Sequence, residues 1–544
     1  MTALAPPQPA TVPEGRTGRP SRPRAPAFLV VPAAVVAAGM VLPLGYLVVR
    51  AGGAGSRALA IAADPQTLQV LGNTALLATV VGVGGAAVGV PLAWLTTRTD
   101  LPGRRVWTVL CTVPLVIPTY VGGFAFVAAL GPRGMLQSVL APLGVDRLPE
   151  LYGLPGAALA LTLFTYPYVL LTVRSALLGM DPALEEASRG LGRTPLQTFV
   201  RVTLPQLRPA IGAGALLVVL YALSDFGAVS LLRFNSFTRV IYVQYQAAFD
   251  RTPAAVLALV LVGLTLVVLA VEARTRGRAR YHRTGGGVRR PVRPAPLGRW
   301  RWPATVFCAG VVALALVLPL TVIVYWLVRG LAAGEPLRLT WTAALNSVRA
   351  SGMAAVLAAC AALPIAVLGV RHRGRLAAAL ERATYLGYAL PGIVVALALV
   401  FFGIRYAGPL YQTLGLLVFA YVVRFLPQAV GATRSSVLQV PPSVEEAARS
   451  LGRTGPAVLL TVTGPLVRPG VLAGAALVFL TAMKELPATL LLGPAGYPTL
   501  ATTIWGAASE AFFARAAAPA LLLVLLSGVP LAFLLRSREL GGPA

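Results

Sequence analysis

Apolar residues run along this chain in blocks that are too continuous for an amphipathic helix and too long for a strand. The blocks fall near 28–49, 71–94, 106–130, 154–173, 211–232 and 254–271, then near 304–328, 354–370, 383–402, 410–430, 471–492 and 517–535. Each is close to the roughly 20 residues that cross a bilayer core as a helix, the form that satisfies its own backbone there. The pattern predicts twelve spans. Arginines collect in every second connection: Arg98/Arg104/Arg105, residues 185–194, 274–301, Arg371/Arg373/Arg375, 445–454 and Arg536/Arg538. The opposite connections are nearly neutral, apart from Arg233, Arg239 and Arg251. The positive-inside rule then places the arginine-rich loops and both termini in the cytoplasm.

The polar positions also repeat. Residues 185–194 read EEASRGLGRT and residues 445–454 read EEAARSLGRT. A spacing of 260 also pairs Pro167 with Pro427, Arg174-Ser175 with Arg434-Ser435, Pro205 with Pro465 and Asp225 with Glu485. Upstream the spacing becomes 273, pairing Asn73-Thr74 with Asn346-Ser347 and Pro118 with Pro391, so the first half carries 13 extra residues, placed in the loop around 131–152. An even number of spans per repeat gives both halves one orientation, a duplication about an axis along the membrane normal. The expected fold is an all-α integral membrane protein of about twelve helices in two parallel six-span repeats. Its expected parts are a disordered cytoplasmic tail (1–27), a first transmembrane domain (28–273), a flexible arginine-rich linker (274–302), a second transmembrane domain (303–536) and a C-terminal tail (537–544). No cleavable signal peptide is indicated, since the first apolar run is too long and no small-residue cleavage site follows it.

Composition agrees: 57% of residues are hydrophobic and 12% charged, about half the charged share of a soluble domain. The net charge of +28 is accounted for by loop arginines, so membrane lipid and not nucleic acid is the expected contact. Cys111, Cys308 and Cys360 lie at scattered depths in predicted spans and read as packing residues. Gly85 and Gly89, a GxxxG pair, predict close helix packing.

Each repeated stretch reads as two short helices around a glycine. Asp181 before Pro182 suits an N-cap, and Ser443 with Glu446 has capping-box spacing. Glu185 and Glu186, like Glu445 and Glu446, then fall near a positive helix end. Gly192 and Gly452 break the helix. A second short helix starts at Thr194-Pro195 and at Gly455-Pro456, and Pro205 and Pro465 are expected to end it.

This pattern resembles the EAA loop of permease subunits of binding-protein-dependent ABC importers: Glu186-Ala187-Ser188 with Gly192, and Glu446-Ala447-Ala448 with Gly452. Two copies in one chain resemble the fused permeases of the ferric-iron and thiamine group. The resemblance implies that Glu185, Glu186, Ala187, Gly192, Glu445, Glu446, Ala447 and Gly452 couple to a separate ATPase, one copy per loop. It implies an extracytoplasmic solute-binding protein as second partner and the bacterial inner membrane as location. A Walker A loop needs Gly-x4-Gly-Lys-Ser/Thr, and the chain's one lysine, Lys484, precedes Glu485. The chain is therefore read as a transport subunit and not an enzyme, with no cofactor of its own; ATP is used by the partner.

Asp225, Lys484 and Glu485 fall inside apolar runs, where ionisable groups are expensive and face a partner or a water-filled path. Two readings stand: all three line the translocation route, or Lys484 locks onto Asp225 or Glu485. Gly227 and Pro487 would loosen each helix just beyond. No His/Cys/carboxylate cluster suggests a metal site; His282 and His372 sit among arginines and read as solvated. The runs around Asp225-Phe226-Gly227-Ala228 and Lys484-Glu485-Leu486-Pro487 resemble the ferric-iron permeases, which favours iron over thiamine or a small anion. The competing class is a twelve-span proton-coupled carrier, suggested by Asp100 and Gly103-Arg104-Arg105 in the loop after the second span. That loop has Leu101 where such carriers place arginine, and no carboxylate relay is visible. An intramembrane enzyme would need a nucleophile–base pair that is not apparent.

Overall fold

The structure is a computed structural model that describes residues 25–181, 183–247, 251–275, 294–335, 338–372 and 374–540. The N-terminal tail to residue 24, Pro182, His282 and linker residues 276–293 lie outside the described residues. The first half supplies α1 (Ala27–Gly52), α2 (Pro65–Arg98), α3 (Thr119–Leu130), α4 (Leu154–Gly179), the surface helix α5 (Ala183–Gly190), α6 (Leu204–Ser224), the short α7 (Gly227–Leu231) and α8 (Thr252–Thr275). The second half repeats the series as α9 (Leu318–Ala332), α10 (Arg338–Arg371), α11 (Gly392–Tyr406), α12 (Leu414–Gln439), α13 (Pro442–Ser450), α14 (Gly464–Met483), α15 (Pro487–Leu492) and α16 (Phe513–Leu540). Eleven described helices are long and apolar enough to cross a membrane, or twelve if one bent pair is a single span. The all-α, two-repeat architecture holds.

The third apolar run of each half is not one helix. A proline drives the preceding residue out of helical geometry, and Ile117 (ψ 119°) and Leu390 (ψ 115°) are both extended. In the second half the helices on either side of the break are bent by 106°. Hydropathy is blind to this, because the residues on both sides of the break stay apolar. The 13 extra residues lie where expected, between α3 and α4, in a loop that includes a further short helix, Met135–Leu140. Helix α16 runs on to Leu540, into the stretch read as a tail.

The two sequence repeats are not two packing units. One buried core combines α2, α3, α4, α6 and α7 with α9 and α16 of the other half. The second combines α10, α11, α12, α14 and α15 with α1 and α8. In lipid the drive for this is close van der Waals packing, and small residues allow it. A Cβ on Gly85 would sit 3.2 Å from Val218, and one on Gly89 would sit 2.8 Å from Val169, so the GxxxG pair seats α2 on α6 and α4. Cys111 and Cys308 are buried, whereas Cys360 is exposed.

The end of the linker is docked, contrary to the expectation of a flexible connector. Ala295 forms a parallel bridge with Thr99, its amide donating to the Arg98 carbonyl at 2.8 Å. Asp100, the residue behind the carrier reading, accepts from the Leu297 amide at 2.8 Å and the Arg301 guanidinium at 2.7 Å. These donors, the Leu297 amide foremost, hold its carboxyl below the usual carboxylate range. A depressed carboxyl stabilises the clip above its ordinary pKa of about 3.9, and the contribution is lost as pH falls through the lower folded value. Asp100→Asn is therefore expected to speed amide hydrogen exchange at 295–301 several-fold at pH 7. Wild-type protection there should fall only below about pH 4; equal exchange in both proteins at pH 7 would rule the clip out.

Candidate functional site

The repeated stretches form two equivalent knobs on one face. In each, a short helix (α5, α13) ends at a glycine with φ +81°, Gly192 and Gly452, in the left-handed region that suits glycine. A second turn follows, Pro195–Thr198 and Gly455–Val458. The first is closed by a capping box in which the Gln197 amide donates to Thr194 Oγ1 at 3.3 Å and the Thr194 amide to Gln197 Oε1 at 3.1 Å. The Ser443/Glu446 box does not form: α13 begins at Pro442, so Ser443 is already inside the helix. Asp181 does cap, its Oδ1 accepting from the Ala183 amide at 3.0 Å.

Pro205 and Pro465 do not end the second helix either. A π turn at Phe199–Thr203, and another at Leu459–Thr463, carries the chain straight into α6 and α14. The wider turn absorbs the missing proline N–H and the ring's clash with the preceding turn. Each knob is thus continuous with a membrane-spanning helix.

The paired glutamates of each knob have opposite fates. Glu185 and Glu445 are buried at 4% exposure, while Glu186 and Glu446 point to solvent. Glu445 Oε1 accepts from Thr463 at 3.1 Å and faces Arg371 Nη2 at 3.0 Å; Arg371 also donates to the Val440 carbonyl at 2.8 Å. Glu185 Oε1 accepts from Thr203 at 2.9 Å, with Arg98 Nε at 3.9 Å, and Arg98 donates to the Leu177 carbonyl at 2.8 Å. Arg98 and Arg371 are the last residues of α2 and α10, so each buried pair bolts a knob to a spanning helix. Sequence reading counted both arginines only as topology markers; their shared spacing of 273 was the available signal. His372 is half-buried, not solvated, and burial lowers its pKa. The outer surface of the knobs is apolar: Leu184, Leu191 and Leu196 on one, Val444 and Leu451 on the other. Ala187 and Ala447 lie exposed among them.

Gly192 and Gly452 have open space around a would-be Cβ, so their requirement is conformational. Gly192→Val with Gly452→Val forces a β-branched residue into positive φ, at about 1–2 kcal/mol per site. Expected is a fall of more than fivefold in ATP-driven uptake at normal membrane levels; unchanged uptake would refute the role of the bend.

The intramembrane charges gather where helices break between the two halves. Asp225 ends α6 and caps α7, its Oδ1 accepting from the Ala228 and Val229 amides at 3.0 and 3.3 Å, its Oδ2 from the Thr119 hydroxyl. Glu485 does the same for α15, its Oε1 accepting from the Ala488 amide at 3.3 Å, its Oε2 paired with Arg424. Arg424 reaches on to Ser224 Oγ at 2.7 Å and so ties the halves together. Lys484 locks onto neither carboxylate; its ammonium donates to the Leu115 carbonyl of the first half at 3.0 Å. Gly392 is small by necessity, since a Cβ there would lie 1.8 Å from Arg424 Nη1. In the first half the matching position is Thr119, which supplies a hydroxyl where the second half needs room for a guanidinium. Arg424 stands inside the apolar run 410–430, and the rule that flagged Lys484 should have flagged it too. Among the described residues no His/Cys/Asp/Glu group could hold a metal ion.

Comparison with known proteins follows the same division into halves. Residues 85–280 and 341–537 each match the family described as binding-protein-dependent transport system inner membrane component. A Fe(3+)-transport system permease protein of Haemophilus influenzae, FbpB 2, is 35% identical over 94% of this chain and 98% of its own length. The sulfate transport system permease protein CysT of Salmonella typhimurium is 31% identical over 38% of this chain and 76% of its own. A probable molybdenum ABC transporter permease protein of Haloferax volcanii is 35% identical over 37% of this chain and 73% of its own. With both halves matched, the chain belongs to the family of binding-protein-dependent inner-membrane transport components, as an ABC importer permease subunit with two permease domains fused in one chain.

Proposed function

We propose that this permease carries ferric iron inward, released to it by an extracytoplasmic binding protein and driven by an ATPase that docks one copy on each knob. The observation that carries the coupling role is the pair of buried bolts, Glu185–Arg98 and Glu445–Arg371, which leave Glu186, Glu446 and an apolar surface free for a partner. Such a knob transmits a push directly, because each runs through a π turn into α6 or α14. The arginine-rich loops share the knobs' side, and the positive-inside rule supports a cytoplasmic orientation for that face and both termini. The route lies between the halves at the paired helix breaks, where Asp225, Lys484 and Glu485 meet. Iron is favoured by the full-length likeness to the Haemophilus iron permease, whereas the sulfate and molybdenum relatives cover little more than a third of this chain.

The test is uptake by proteoliposomes holding the permease with its partner ATPase and binding protein. ATP-dependent accumulation of ⁵⁵Fe supplied as ferric citrate, abolished without the binding protein, is expected. Accumulation of ³⁵S-sulfate and not of ⁵⁵Fe would replace iron by an oxyanion. Uptake of either by the permease alone under a proton gradient would return the carrier reading.

A further inference from the structure

The end of the linker meets the first half at the residue that bolts the first knob. Ala295 is buried; its amide donates to the Arg98 carbonyl at 2.8 Å and its carbonyl accepts from the Asp100 amide at 3.2 Å. Asp100 then takes the Leu297 amide and the Arg301 guanidinium. Leu297 packs on the first core, and Arg301 opens the helix Arg301–Val312, whose Cys308, Val311 and Val312 lie in that same core. Residues 295–301 thus strap the entry of the second half onto the end of α2.

Arg98 is where that hold matters. It is the last residue of α2, where carbonyls have run out of intrahelical partners, and Ala295 supplies one. Its buried side chain reaches towards the knob, to the Leu177 carbonyl at 2.8 Å near the end of α4 and towards Glu185 in α5. Arg98 Nε has no hydrogen-bond partner and stands 3.9 Å from Glu185 Oε1. That is about 1 Å beyond the length of a charge-assisted hydrogen bond. A small displacement of the Arg98 backbone therefore decides whether this bolt engages.

The second knob is held differently. Arg371 Nη2 already lies 3.0 Å from Glu445 Oε1, and Arg449 Nη2 lies 3.7 Å from Oε2. The spacing of 273 that pairs Arg98 with Arg371 sets Arg373 opposite Asp100, and a guanidinium has no acceptor for such a clasp.

We propose that Asp100 and residues 295–301 form a strap that positions Arg98 for Glu185 and so sets the first knob. Asp100 is a positioning residue, acting through Arg98. The fusion of two halves then makes the knobs unequal, because the first answers to the entry of the second half. The effect on uptake rests on the reading that the knobs take the ATPase.

Two measurements test this. The first is amide hydrogen exchange of the purified permease, which needs no partner. Asp100→Asn is expected to speed exchange several-fold at 183–198 and to leave 442–458 at wild-type rates. Unchanged exchange at 183–198, or an equal rise at both knobs, overturns the strap. The second is ATP-driven uptake by the reconstituted complex at matched membrane levels. Asp100→Asn should lower it several-fold alone, add little in a Glu185→Gln background, and multiply with the loss in a Glu445→Gln background. A merely structural role would multiply alike in both, and that result overturns the positioning role. Should Asp100→Asn fail to fold, Arg301→Gln, which keeps the Leu297 bond, serves for both measurements. Faster exchange at 183–198 with normal uptake in both Asp100→Asn and Glu185→Gln leaves the strap and removes the first knob from coupling.

Discussion

Glu445→Ala is expected to reduce ATP-driven uptake at least tenfold and to lower the thermal stability of the permease. The carboxylate is 5% exposed and its partner Arg371 12%, so solvent screens the pair little. Deleting the acid strands a buried guanidinium, and removing one partner of such a pair costs about 3–5 kcal/mol. It also frees Thr463, the last residue of the π turn that leads into α14, so α13 loses its attachment to both α10 and the start of α14. The equivalent Glu185→Ala should be milder. Its arginine stands 3.9 Å away, and Arg98 keeps the Leu177 carbonyl and lies beside the docked linker through its own carbonyl. The measurement is uptake and melting temperature for both variants at matched membrane levels, with Glu445→Gln beside them. If Glu445→Ala transports as well as wild type, the buried pair is not what transmits the push.

The difference between these two glutamates was beyond sequence reading, although both were singled out by it. Adjacent residues in a short amphipathic helix point to different sides, and only a known packing direction tells which one is buried. The same limit applies to the spans. Their number and order followed from run length, because lipid demands continuous apolar helices, and that demand is written in composition. Hydropathy alone does not mark the breaks at Pro118 and Pro391, since the runs on both sides of each are mostly apolar and buried. Pro205 and Pro465 misled in the opposite direction: proline normally stops a helix, and a π turn that tolerates it leaves no mark in composition. Asp225, Lys484 and Glu485 were found by the expense of charge in a membrane, but the pairing of Lys484 with a carboxylate did not hold. Arg424 took that place from 61 residues away in sequence, and long-range side-chain pairing is not a property of any local pattern. The linker clip on Asp100 is of the same kind.

Arg424→Leu gives the second large effect. The guanidinium joins Glu485 of its own half to Ser224 of the other, and with Lys484 on the Leu115 carbonyl it closes the contact between the halves in this structure. Alternating access requires that contact to open and reform, so a bond across it biases the resting state. Arg424→Leu leaves Glu485 uncompensated at 5% exposure, about 3–5 kcal/mol by the same reasoning as above, and the protein should reach the membrane poorly. Replacing both members, Arg424→Leu with Glu485→Leu, removes the stranded charge, and an apolar pair of similar volume is often neutral or stabilising. The double variant should regain membrane level and melting temperature, yet it lacks the tie to Ser224 and the cap on α15. Its reconstituted complex should therefore hydrolyse ATP several-fold faster than wild type without the binding protein, while uptake stays low. Basal hydrolysis and uptake both at wild-type values in the double variant would reduce the Arg424–Glu485 pair to a packing detail. A double variant as unstable as the single one would show instead that the tie to Ser224, and not the buried charge, holds the halves together.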